Sequence, residues 1–162
     1  MAFTTTHTVR FQHCDPAEIV FYPRYYEMLN ATIEEWFDTR LVWSFAEIHG
    51  PMDRGVPTVA HETVFLKPSR LGERLDFTLT PTHLGGSSVK LLVEVTCDGE
   101  PRVRFNTTLV WFAKSDGRPR PWPEELRAGI AREMTLDTVG DARCSRPSSQ
   151  RDGRIRRAIP TA

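Results

Sequence analysis

His13-Cys14-Asp15-Pro16-Ala17-Glu18-Ile19-Val20-Phe21-Tyr22-Pro23-Arg24-Tyr25 joins two segments of different hydrophobic period. Upstream, residues 3–13 (FTTTHTVRFQH) are rich in Thr, Val and Phe, and apolar side chains alternate with polar ones. That period of two predicts a strand. Downstream, Tyr25, Met28, Leu29, Thr32, Ile33, Trp36, Phe37 and Leu41 recur at spacings of three and four. They predict a helix of about four to five turns with a broad buried face. Asp15-Pro16 is the turn signal that ends the strand. Pro23 suits the first turn of a helix, where a missing N–H costs nothing.

Working outward, Ser44–His49 predicts a short second helix, stopped by Gly50-Pro51. Most of the remainder alternates. Strands are expected over Pro57–Pro68, Glu73–His83, Ser88–Thr96 and Arg102–Phe112, with turns at Ser69–Gly72, Gly85-Gly86 and Asp98-Gly99-Glu100. These four strands are expected to follow one another as hairpins. A loop with three prolines spans Lys114–Pro123, and Glu124–Met134 predicts a short terminal helix. Strand, long helix, then a run of strands is an α+β order, not alternating βαβ. An antiparallel sheet of five to six strands wrapped around one long central helix follows, because that helix is the natural cover for the sheet's apolar face.

The chain has 162 residues, 40% of them hydrophobic and 26% charged, which suits one soluble domain. That domain is expected over 1–137. The stretch 138–162 lacks periodicity, carries six arginines against two aspartates after Gly140, and is expected to be disordered. Lys plus Arg and Asp plus Glu both total 21, so no global basic face points to nucleic acid. The Arg-rich tail has no interleaved aromatics for base stacking. Cys14, Cys97 and Cys144 are odd in number and far apart, which argues against a disulfide framework or a zinc site and fits a reducing compartment. Neither an apolar leader nor a membrane-length apolar run is present, so a cytoplasmic protein without membrane partners is expected.

Asp15 lies just upstream of the long helix. Amides at a helix start lack intrahelical partners, and the macrodipole makes that end positive. A polarised carbonyl oxygen docked there would bring its carbon within reach of a carboxylate a few residues upstream. Carboxylate plus helix N-terminus is a minimal apparatus for acyl transfer. The competing reading is structural: an Asp before Pro is a common turn or cap residue.

The stretch HCDPAEIVFYPRYYEMLNATIEEWF resembles the four-hydroxybenzoyl-CoA thioesterase family of the hotdog superfamily. Asp15, Pro16, Ala17, Ile19, Val20, Tyr22, Pro23 and Tyr25 match the family pattern in register, and the element order agrees over roughly 3–115. The resemblance implies a hotdog fold and hydrolysis of an acyl-CoA thioester to free acid and CoA. Asp15 stands at the family's catalytic carboxylate, as nucleophile or as base for water. Tyr22 stands where a backbone N–H polarises the thioester carbonyl. Ile19, Val20 and Phe21 would shape the acyl pocket or pack beneath the helix. Glu18 departs from a position often held by Gly, and His13 from one often acidic; both bear on acyl preference.

Other candidates carry plainer alternatives. In the family, the strand beginning at Pro57 faces the active site across a dimer interface, which makes Thr58, His61 and Glu62 candidates; a solvated strand face is the alternative. The loop holding Gly86 and Ser87 lies where family members bind CoA, or is a simple hairpin turn. Lys67, Arg70 and Arg74 would suit CoA phosphates or a solvated edge. A homodimer or homotetramer with two sites per dimer is expected. No metal or redox cofactor is implied, CoA being part of the substrate. Two rival functions share the fold: a non-catalytic acyl-CoA sensor, and an enoyl-CoA hydratase-like enzyme.

Overall fold

The computed structural model describes residues 2–137. Its elements are β1 (Phe3–Thr8), α1 (Tyr22–Arg40), α2 (Phe45–His49), β2 (Arg54–Gly55), β3 (Thr58–Phe65), β4 (Arg74–Leu84), β5 (Ser88–Cys97), β6 (Glu100–Val110), β7 (Phe112–Ala113) and α3 (Glu124–Asp137). Five strands form one antiparallel sheet in the order β1-β4-β5-β6-β3. The expected tail lies outside the described residues.

The long helix buries the face that its spacing predicted: Tyr25, Met28, Leu29, Thr32, Ile33, Trp36 and Phe37. They join Leu75, Phe77, Leu79, Val93 and Phe105 of the sheet in one core. Each such apolar side chain contributes about 1.5–3 kcal/mol by leaving water. Thr32 is tolerated in this setting because its hydroxyl donates to Met28 O and meets His7 Nε2, both at 2.9 Å. α2 starts on a capping box: Glu47 N–H donates to Ser44 Oγ at 3.2 Å, and Ser44 N–H donates to Glu47 Oε2 at 2.8 Å.

The structure corrects three expectations. β1 stops at Thr8, and Phe11–His13 is a single 3-10 turn instead of strand. Val9 is diverted by bonds to the segment before β4, its N–H to Glu73 O at 2.8 Å and its carbonyl from Gly72 N–H at 2.9 Å. Second, β3 and β4 are not a hairpin. They lie on opposite sides of β5 and β6, joined by residues 66–73. Eight residues reach up to roughly 26 Å, ample to cross strands spaced about 4.8 Å apart. Turn-forming residues mark where a chain reverses, not which strand it rejoins. The β4–β5 and β5–β6 links are hairpins as expected, with Asp98 and Gly99 both at positive φ (50° and 79°).

Third, α1 is not the only helix in the core. α3 contributes the fully buried Leu126 and Ile130, and a side chain at Gly129 would come within 3.2 Å of Leu41 Cδ2. A small pairing of β2 with β7 was also absent from the sequence reading. It requires Gly55, where a Cβ would stand 2.2 Å from the Phe112 ring.

Candidate active site

The loop preceding α1 is tightly tied. Glu18 N–H donates to Asp15 O at 2.9 Å, closing a turn with Pro16 at its second position. Asp15 N–H donates to Ile19 O at 3.0 Å, and Cys14 bridges to Val20. Glu18 completes the loop in the left-handed region with φ 63°, a position Gly would hold more cheaply. Val20 N–H then donates to Ser69 O at 2.8 Å and Phe21 N–H to His13 O at 2.9 Å, which aims the chain into α1.

Both readings of Asp15 are realised in part. Its Oδ1 accepts Ala17 N–H at 2.8 Å, as a turn residue's would. Its other oxygen makes no hydrogen bond among the described residues, and the half-buried carboxyl lines a hollow of about 350 Å³ with Phe11, Cys14, Glu18, Arg70 and Leu71. At the start of α1, Phe21 supplies no side-chain cap and Pro23 has no N–H. Arg24 N–H is used by Phe21 O at 2.9 Å, whereas Tyr22 N–H has no partner among the described residues. The first turn of α1 therefore offers one backbone donor beside a positive helix end.

Within one protomer these groups do not share a hollow. Tyr22, Ile19 and Val20 line a second depression with Tyr25, Phe65 and Pro68, on the other side of the Glu18–Ile19 segment. Phe21 lies beside it, its ring 5.4 Å from that of Tyr22. Both depressions are rimmed by exposed apolar side chains: Phe11 at 84% and Leu71 by Asp15, and Tyr22 at 58%, Phe65 and Leu66 by the other. β3, with Val59 and Val64 also exposed, is an unpaired edge of the sheet. Such edges and patches mark surfaces that take a partner.

Thr58 and His61 line a third hollow, between β3 and α1, with Asn30, Glu34, His49 and Val56. His61 Nδ1 bonds Thr107 Oγ1, and burial lowers the pKa of the ring. His49 is fixed as the Nδ1–H tautomer, because its Nε2 accepts Val56 N–H at 3.2 Å while Nδ1 meets Phe45 O at 3.0 Å. Asn30, Glu34 and His49 escaped the sequence reading. Asn30 and Glu34 stand one turn apart on the exposed face of α1, the usual place for polar side chains, so their spacing gave no signal.

Gly86 and Ser87 sit apart from all three hollows. Gly86 O accepts Trp122 N–H at 3.0 Å, and Ser87 O accepts Trp111 N–H at 2.8 Å. They lie at the far end of the eleven-residue β4, roughly 30 Å along the strand from Arg70 and Leu71. Lys67 is paired with Glu100. Among the described residues, no group of three or more His, Cys, Asp or Glu side chains is arranged to hold a metal, and no helix is long and apolar enough to cross a membrane.

An antiparallel sheet packed on one long helix is the hotdog arrangement. The chain belongs to the thioesterase-like superfamily, whose family model matches residues 9–130. It is 27% identical over 126 residues to the 1,4-dihydroxy-2-naphthoyl-CoA hydrolase of Nostoc punctiforme, covering 78% of this chain and 84% of that protein. Solved structures share the fold, among them the following two. The 1,4-dihydroxy-2-naphthoyl-CoA thioesterase of Synechocystis superposes with a TM-score of 0.75 at 22% identity, covering 81% of this chain and 96% of that one. A thioesterase of Thermus thermophilus, complexed with coenzyme A and Zn, gives a TM-score of 0.70 at 25% identity, covering 82% and 93%. Thioester hydrolysis, the activity expected from the loop, is the one these relatives carry in their names.

Proposed function

We propose that the chain hydrolyses an acyl-CoA thioester at a site completed between two copies, where Asp15 faces the thioester carbon and a Tyr22 N–H receives the carbonyl oxygen. The observation that carries this reading is the pairing, within one tightly bonded loop, of a carboxylate with one unbonded oxygen and a helix whose first amide is unbonded. Two routes conserve atoms. In one, Asp15 takes a proton from water, the hydroxide adds to the carbonyl carbon, and CoA leaves as the thiolate. In the other, Asp15 adds directly, expels CoA, and water then cleaves the mixed anhydride. In both, negative charge grows on the carbonyl oxygen, where a preorganised N–H stabilises it. CoA is consumed as part of the substrate.

Two copies joined along their β3 edges would cover the exposed Val59, Val64, Phe65 and Leu66 and bring Thr58 and His61 of one copy toward the Asp15 loop of the other. The exposed apolar edge of β3 supports a homodimer, or a homotetramer built from two. A thioester analogue and free CoA should both slow alkylation of Cys14, which shares the hollow with Asp15.

The test is purified protein against aryl-, short- and long-chain acyl-CoAs, with released thiol followed. Hydrolysis by wild type, and its loss in Asp15→Asn with acyl-CoA binding retained, is expected. Binding without thiol release would leave a sensor instead of an enzyme, and hydration of enoyl-CoA without thiol release would move the chain to the hydratase class.

A further inference from the structure

The segment Leu66–Glu73, between β3 and β4, walls both hollows of the candidate site. Leu66 and Pro68 face the Tyr22 side, whereas Arg70 and Leu71 face the Asp15 side. Ser69, fully buried between them, takes the Val20 amide on its carbonyl and so holds the point where the Asp15 loop turns into α1. The segment has no regular secondary structure to fix its shape.

Its anchorage converges on one residue of β6, through both its carbonyl and its side chain. Arg102, only 8% exposed, accepts the amides of Leu66 and Lys67 on its carbonyl at 2.8 and 3.1 Å. Its guanidinium donates from Nη1 to Pro68 O and pairs through Nη2 with Glu73 Oε1 at 3.2 Å and Glu100 Oε2 at 3.3 Å. Glu73 Oε2 in turn accepts Arg70 N–H at 2.9 Å. One residue thus grips the segment at both ends, and the bonds of Glu73 and Gly72 to Val9 fasten it to the chain entering the Asp15 loop. The fork places separate nitrogens on the carbonyl and on the carboxylates, a spread that the single nitrogen of an ammonium lacks. A core alone would be served by an apolar residue there, since a buried ion pair is weak support for stability.

We propose that Arg102 is a positioning residue for hydrolysis: by clamping residues 66–73 it fixes the common wall of the two hollows, and with it the Asp15 carboxyl in one and the first turn of α1 in the other. This rests on the hydrolase reading of the site. A displacement of about 1 Å at a reacting centre costs on the order of 10²-fold in rate.

The full-length protein is compared with Arg102→Met, with Arg102→Met/Glu73→Gln and with Arg102→Lys, using whichever acyl-CoA wild type hydrolyses best and working below the unfolding onset of each variant. Arg102→Met leaves Glu73 uncompensated, so its Tm falls. The double variant removes that charge while the amide oxygen of the new side chain still accepts Arg70 N–H, so Tm rises again. Its kcat is expected to stay about tenfold or more below wild type, with KM changed less than about threefold. Alkylation of Cys14 in the substrate-free double variant is expected to be faster, because the wall beside it is loosened. Arg102→Lys keeps the charge without the fork and is expected to fold with a similar kcat deficit. Recovery of kcat in step with Tm, or a folded Arg102→Lys at wild-type kcat, would overturn the role given to Arg102. Wild type inactive toward every thioester would instead sink the hydrolase reading, a result that the variants cannot imitate.

Discussion

At the end of β4 that begins with Arg74, the neighbouring loops leave an Asp15 oxygen and the Tyr22 amide unbonded among the described residues. At the other end, the Gly85–Ser88 loop is stitched closed: Gly85, Gly86 and Ser87 carbonyls are taken by Arg127, Trp122 and Trp111. The first end also carries exposed Phe11, Tyr22 and Phe65, whereas the second tucks Trp111 and Trp122 into the core. Satisfied polar groups rigidify a structure, whereas free ones beside an exposed apolar patch suit a surface that takes a ligand or partner. On the function proposed above, the same strand has a structural end and a chemical end.

The sharpest way to break this contrast is to remove chemistry from the first end and compare it with the second. Asp15→Asn should lower kcat by about 10³-fold, within the range for loss of a general base. Ser87→Ala should leave kcat within about twofold, because its backbone, not its hydroxyl, makes the bond to Trp111. A severalfold rise in KM for Ser87→Ala would instead show CoA touching the stitched end.

A second contrast concerns pH. Burial, the main cause, lowers the pKa of His7, where Glu35 partly opposes it, and burial alone lowers that of His61. The unfolded chain then binds protons more readily than the folded one just below about pH 6.5. Stability should be level above that value and fall as pH drops from it toward the depressed folded pKa. Urea midpoints measured from neutral to mildly acidic pH would show it. His7→Gln, which keeps a partner for Thr32, should reduce the slope; an unchanged slope would assign it elsewhere.

Glu18→Gly relieves a left-handed residue and should raise stability by about 1 kcal/mol, read as a higher Tm. If activity falls while Tm rises, the Glu18 carboxylate has a role at the chemical end that its strain conceals. The smallest effect is expected at Gly86→Ala: a methyl group there meets no heavy atom within 4 Å, so stability should change by less than about 0.5 kcal/mol.

Much of this was legible in residues 13–37. The period change located α1 and its buried face, and the D-P turn located Asp15. Gly55, Arg102 and Asn30 gave no such signal. A Gly needed for close approach, a buried Arg in an alternating strand and a polar residue on an exposed helix face look ordinary until their neighbours are known. The hairpin expected between β3 and β4 failed for the same reason, since hydrophobic alternation says which face a residue takes and nothing of which strand lies beside it.

Local chemistry by itself determined most element types, the α1 core face and the Asp15 turn, while the superfamily came from the resemblance carried by the same stretch. Tertiary structure alone decided the strand order, the packing of α3 into the core, the separation of Asp15 and Tyr22 into two hollows, and the contacts that Arg102 makes with residues 66–73. The first group depends on spacing along the chain, which is written in the sequence. The second depends on which distant segments meet, and that is settled only when the whole sheet closes over its core.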